Sequence, residues 1–209
     1  MTLIQILQSL KPTHGLEVGV RDGNSSKLFL ENLPSLQHFW GIDHKTSPIP
    51  HKMMEDGENY TYLVMNSIQA SCQFPDQYFD FIYIDGDHRL GAVRTDIEIW
   101  WPKIRTGGIL CGDDFCEMLN PDEGRYGVVT AVEVFCNRYN LTPNVIGITD
   151  ENTIDNRKAF AVKIGKICED ACWLANPQKF PAWSRDIALE DRQLTTEVVI
   201  PQWWILKNV

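Results

Sequence analysis

Short apolar runs alternate along this chain with longer stretches whose apolar positions recur every three or four residues. The clearest run is Phe79-Asp80-Phe81-Ile82-Tyr83-Ile84, almost wholly apolar and closed by Asp85-Gly86-Asp87-His88. It is far too short for a membrane span, which takes ~20 apolar residues. It reads instead as a strand buried on both faces of a parallel sheet. Strands are predicted over residues 15–20, 38–43, 62–65, 79–85, 108–112, 144–149 and 159–164. Between them, residues 25–33 read as a helix, with Asn24 or Ser25 available as its cap. Residues 90–104 place Val93, Ile97, Trp100, Trp101 and Ile104 on one face, and Pro102 ends or bends that helix. Residues 128–139 form another, with Val132 and Phe135 on its apolar side.

This alternation predicts an α/β, Rossmann-like, doubly wound domain with a mostly parallel seven-stranded sheet. The turn-rich segment 149–157 separates the last two strands without room for a long helix. A hairpin fits there and makes one strand antiparallel. After about residue 165 the pattern changes to a tail holding Trp173, Trp183, Trp203, Trp204, Pro177, Pro181 and Pro201. We therefore expect one domain over residues 1–165 and a Trp-rich extension, 166–209, packed on it.

With 209 residues the chain can bury a sizeable core. A formal net charge of −9, from 28 acidic and 19 basic residues, speaks against a sequence-independent grip on nucleic acid, which needs phosphate-neutralising Lys and Arg. No apolar run suggests a membrane span, and Met1-Thr2-Leu3-Ile4-Gln5-Ile6-Leu7 lacks the basic start and cleavage site of a signal peptide. The cysteines at 72, 111, 116, 136, 168 and 172 show no CxxC pair. Buried reduced thiols and a cytoplasmic location are expected, with Cys168 and Cys172 the only spacing that hints at zinc. A homo-oligomer is left open.

In open α/β sheets, ligands bind beyond the carboxyl ends of the strands. Asp85, Asp87 and His88 stand at such an end, and Asp113 and Asp114 close the next strand. Carboxylates crowded without basic partners repel one another. A hard cation such as Mg²⁺, Mn²⁺ or Ca²⁺ resolves that repulsion, and solvent-facing turn residues are the other reading. His88 reads as a base or as a ring bonded to backbone, and Asp87 is equally ambiguous. Earlier in the chain, Gly19 and Gly23 let the first strand turn tightly into a helix and approach a ligand. Their spacing is GxxxG, not the GxGxxG of dinucleotide folds. Glu17, two residues before, could pair with an ammonium group but would repel a pyrophosphate. Asp43 ends the second strand, where a carboxylate accepts hydrogen bonds from ribose hydroxyls. Asn66 and Ser67 end the third, within reach of an adenine edge.

The block from Phe79 to Phe115, with its IDGDH and GGILCGDDF, resembles the class I S-adenosylmethionine-dependent methyltransferases. More narrowly it resembles the small metal-dependent O-methyltransferases that include macrolide and aminocoumarin sugar methyltransferases. The segment EVGVRDGNSS is similar to the cofactor loop of that class. The resemblance implies that Glu17, Gly19, Gly23 and Ser25 lie at the methionine part of S-adenosylmethionine. By the same resemblance Asp43 lies at the ribose, Asn66 and Ser67 near adenine, and Asp85 at the cofactor. It further implies Asp85, Asp113 and Asp114 as ligands of Mg²⁺ (or Mn²⁺ or Ca²⁺), with Asp87 or His88 as the proton acceptor. The acceptor implied is a small-molecule hydroxyl on a sugar or catechol-like diol. Three alternatives stand beside this: a metal-independent methyltransferase, a nicotinamide-dependent oxidoreductase, and a non-catalytic cofactor-binding module.

Overall fold

One sheet organises the described residues of this computed structural model, which are 2–57, 59–115, 119–120, 124–146 and 202–208. Its strands are β1 (His14–Val18), β2 (His38–Asp43), β3 (Tyr60–Val64), β4 (Phe79–Ile84), β5 (Ile104–Gly112), β6 (Asn144–Ile146) and β7 (Gln202–Leu206). They lie in the order β3-β2-β1-β4-β5-β7-β6. Neighbours run parallel from β3 to β5, and β7 is antiparallel to both β5 and β6. A separate two-residue ribbon pairs Leu119–Asn120 with Gly124–Arg125.

Helices cover both faces, as a parallel sheet requires. On one side α1 (Leu3–Leu10), α2 (Asn24–Asn32) and α3 (Pro48–Asp56) pack through Leu7, Phe29 and Met53. On the other, α4 (Ser67–Ser71), α5 (Leu90–Trp100) and α6 (Val128–Tyr139) contribute Ala70, Ile97, Trp100 and Val132. Strand β4 is buried throughout, with Phe81 and Tyr83 in the first layer and Ile82 and Ile84 in the second. The chain leaves β1 toward β2 and β3, then crosses back to β4 on the other side of β1. The order reverses between β1 and β4, the point beyond whose carboxyl ends open α/β sheets bind ligands.

The expected α/β architecture holds, with three adjustments. Helix α2 starts at Asn24 and is preceded by Gly23 in the left-handed region, so neither Asn24 nor Ser25 is its cap. Helix α5 ends at Trp100, and Pro102 lies in the 3₁₀ turn Trp101–Lys103 that follows. The antiparallel place beside β5 belongs to β7, from the tail; the strand expected at 159–164 and its hairpin lie outside the described residues. So do the proposed domain boundary near 165, Cys168, Cys172, Trp173 and Trp183. Cys72, Cys111 and Cys136 are free thiols, the first exposed and the other two buried.

Candidate active site

The loop after β1 is shaped by what it must pass. Gly19 has φ +93°, and a Cβ there would stand 2.2 Å from the carbonyl oxygen of Asp85. Only glycine allows this close approach of the loops from β1 and β4. At Gly23, φ +75°, a side chain would meet Met53 Sδ of α3 at 2.9 Å. Between the two glycines the Arg21 N–H donates to Asp43 Oδ2 at 2.8 Å, while the Lys45 N–H donates to Oδ1 at 2.9 Å. Asp43 therefore fastens the β1 loop to the end of β2. Ser25 lies half-buried in the first turn of α2.

Strands β4 and β5 bring their terminal acids together. His88 Nε2 lies 3.4 Å from Asp85 Oδ1 and 3.2 Å from Asp114 Oδ2, so one imidazole edge faces two carboxylates. The ring stacks on Tyr126, centroids 4.6 Å apart, just before α6. The Gly127 N–H donates to the His88 carbonyl at 2.9 Å and fixes that approach. Burial raises the Asp85 carboxyl above its usual range, with Asp113 adding to it, against an opposing hydrogen bond from His88. Burial and then Asp114 raise Asp113, opposed by a hydrogen bond from the Tyr83 side chain. Asp114 sits at φ +49°, a conformation non-glycine residues adopt rarely.

Asp87 goes elsewhere. Its carboxylate accepts from the Arg89 N–H at 2.9 Å and is clamped by the Arg89 guanidinium, which holds its pKa down. A carboxylate so neutralised is a weak base. Asn66 Oδ1 caps α4 by accepting from the Gln69 N–H at 2.8 Å. Ser67 Oγ donates to Asp96 Oδ1 at 2.5 Å and accepts from Trp100 Nε1 at 2.8 Å, so its hydroxyl is turned inward. Glu17 is 1% exposed and bonded to Ser26 in α2. Of the residues singled out from the sequence, Gly19, Asp43, Asp85, His88, Asp113 and Asp114 stand at or just beyond the carboxyl ends of β1, β2, β4 and β5, and Gly23 precedes α2. Asp43, Asp87, Asn66, Ser67 and Glu17 have their side-chain oxygens engaged within the protein.

Sequence reasoning gave no role of their own to Tyr83, Tyr126, Ser26 and Asp96. Tyr83 is buried in β4, and its hydroxyl accepts from Gln202 Nε2 of β7 at 3.2 Å. Within an apolar run its phenol reads as core, and only the neighbouring strand reveals its partners. Among the described residues no three His, Cys, Asp or Glu side chains are arranged to hold a metal ion. The acids near residue 85 are oxygen donors suited to a hard cation, yet His88 stands where their carboxylates meet. As placed, they do not form a cation site. Among the same residues no helix is long and apolar enough to cross a membrane.

Residues 16–115 match the family model of a methyltransferase domain. No curated protein matches the chain in sequence. The O-methyltransferase TomG of Streptomyces achromogenes, involved in tomaymycin synthesis and solved with S-adenosylmethionine, is 18% identical with a TM-score of 0.56. That likeness covers 69% of this chain and 70% of TomG. The 1,6-didemethyltoxoflavin-N1-methyltransferase of Burkholderia thailandensis, solved with S-adenosylhomocysteine, is 17% identical at a TM-score of 0.52, covering 68% of this chain and 66% of that one. A Staphylococcus aureus protein described as a caffeoyl-CoA O-methyltransferase is 17% identical at 0.56, covering 71% of this chain and 77% of that one. At these identities the likeness is one of fold.

Proposed function

We propose that the chain transfers a methyl group from S-adenosylmethionine to a hydroxyl of a small molecule, a sugar or a catechol-like diol, with His88 as the base. The observation that carries this reading is the His88 ring edge held between Asp85 and Asp114, at the strand ends facing the Gly19 loop. The methyltransferase-domain match supports the donor, as do S-adenosylmethionine and S-adenosylhomocysteine in structures of similar fold. Those neighbours include both an O- and an N-methyltransferase, so the oxygen acceptor rests on the acid and histidine cluster.

In this reading Gly19, Gly23, Ser25 and the start of α2 take the methionine part, and Asp43 takes the ribose. Asn66 and Ser67 shape the adenine end through the position of α4. Methyl transfer from a sulfonium is an in-line displacement: the acceptor oxygen bonds to the methyl carbon as the carbon–sulfur bond breaks. Holding oxygen and methyl in line supplies a large share of the barrier reduction, about 7–11 kcal/mol in favourable cases. The Nε2 edge of His88 faces two carboxylates, which only accept, so Nε2 carries the hydrogen and the lone pair that takes the acceptor's proton is on Nδ1. The imidazolium that results keeps its Nε2–H on Asp85 and Asp114, which stabilise it. Such a base contributes about 10²–10⁴-fold.

A second reading adds a divalent cation, Mg²⁺, Mn²⁺ or Ca²⁺, at Asp85, Asp113 and Asp114. It rests on the family resemblance and on oxygen donors of the kind a hard cation takes; as placed, His88 stands between Asp85 and Asp114. Calorimetry with S-adenosylhomocysteine tests the donor: binding is expected, and no heat with no thermal shift would sink it. Turnover on a panel of vicinal diols, measured by S-adenosylhomocysteine release, tests the reaction. His88→Gln is expected to lower kcat by about 10²-fold or more with cofactor affinity kept. Full turnover in excess chelator favours the first reading, and loss restored by added Mg²⁺ favours the second.

A further inference from the structure

The family resemblance sets Glu17 at the methionine part of the cofactor, where an anion would pair with an ammonium group. The structure gives the side chain a different set of partners. Its Oε2 accepts a short hydrogen bond from Ser26 Oγ of α2, and both residues are buried, at 1% and 0% exposure. Ser26 Oγ also lies 3.1 Å from the Tyr60 hydroxyl of β3. Strand β2 runs between β1 and β3, and Gly41 leaves the necessary space. A Cβ there would stand 2.3 Å from the Tyr60 hydroxyl oxygen. A line of polar contacts therefore runs from β3 through α2 to β1, behind the loop from Gly19 to Gly23.

Burial above all, with the negative charges of Asp85 and Asp43 adding to it, favours the protonated form of Glu17 against the opposing Ser26 hydrogen bond.

We propose that Glu17 is a positioning residue of the cofactor loop, holding α2 against β1 from behind through Ser26 without itself touching the cofactor. This rests on the S-adenosylmethionine reading above. The Ser26 bond fixes the rotation of α2 about its axis, and with it the direction of Ser25 and of the first backbone N–H groups. A side chain shut in the interior can set that geometry without touching the ligand.

The test is calorimetry of S-adenosylhomocysteine with the full chain, alongside thermal melting of each variant. Glu17→Ala and Ser26→Ala are expected to lower the melting temperature and weaken binding about tenfold, the scale of one lost buried hydrogen bond. Glu17→Gln keeps an oxygen acceptor without the charge and is expected to restore affinity to within about threefold of the original chain. Glu17→Gln that melts like the original chain yet binds about tenfold more weakly would overturn the proposal. Should Glu17→Gln fail to fold, Ser26→Ala decides: unchanged affinity and melting would overturn it equally. Absence of binding by the unmodified chain would instead strike the donor reading, before any variant is compared.

Discussion

A carboxyl group held in the interior makes stability depend on pH, and Asp96 is the clearest instance at the scale of single residues. It is 6% exposed, and burial pushes its pKa up to about 6 despite the Ser67 hydrogen bond. The folded chain holds this proton more tightly than the unfolded chain, where the group titrates near 3.8. Its stabilising contribution is therefore complete below the unfolded pKa and is lost as pH rises through about 6. Two units correspond to about 3 kcal/mol. Asp96→Asn removes the titration but keeps an acceptor for Ser67. Urea unfolding should show the variant gaining about 2–3 kcal/mol on the original chain between pH 4 and 7.5. A difference that stays flat across that range would mean Asp96 does not titrate there. Residues of this kind explain the limits of sequence reading. Asp85, His88 and Asp114 were legible because polar groups ending an apolar strand stand out. Asp96, Ser26 and Tyr83 were not, because their partners lie on other elements. Asn66 and Ser67, expected at the end of the third strand, open α4 instead, and their oxygens serve that helix and Asp96.

Among elements, those with a long periodic signal were legible and the short ones were not. Strand β4 and helix α6 follow the expected bounds closely, since one is wholly apolar and the other carries a clear buried stripe. Helix α4 has five residues, too few for a period to register, and α3 begins in a proline-rich segment. The loop joining β1 to α2 was readable from its glycines, but not what it packs against. Its tightest point is Gly19, where both the positive φ and the Asp85 carbonyl exclude a side chain. Gly19→Ala must push apart the ends of β1 and β4, at a cost of about 1–3 kcal/mol. The expected result is a lower melting temperature and at least tenfold weaker S-adenosylhomocysteine binding by calorimetry. Affinity like that of the original chain would show that the loop does not set the pocket.

At the scale of the molecule, the methyltransferase-domain match ends at residue 115 while the sheet does not. Strand β7 supplies the antiparallel partner of β5 and the described partner of β6, and it comes from the tail. Sequence reading expected one antiparallel strand but sought it in the nearest β-like run, because pairing across so many residues leaves no local mark. Trp203 is fully buried and packs on Gly112, where a Cβ would lie 2.8 Å from its ring. Lys207 Nζ donates to the Trp101 and Ile104 carbonyls at 3.0 and 2.7 Å, locking the strand end beside the turn after α5. Truncating one buried tryptophan costs about 3–5 kcal/mol, against a total stability of about 5–15 kcal/mol for a domain. Deleting residues 202–209 removes that side chain, the Lys207 contacts and a strand ladder together. Circular dichroism should then show no cooperative thermal transition. S-adenosylhomocysteine binding should vanish with it, because Gly112 leads directly into Asp113 and Asp114. A truncated chain that melts cooperatively and still binds would mean that β1 to β5 hold the site without the tail strand, and that β7 only covers an edge.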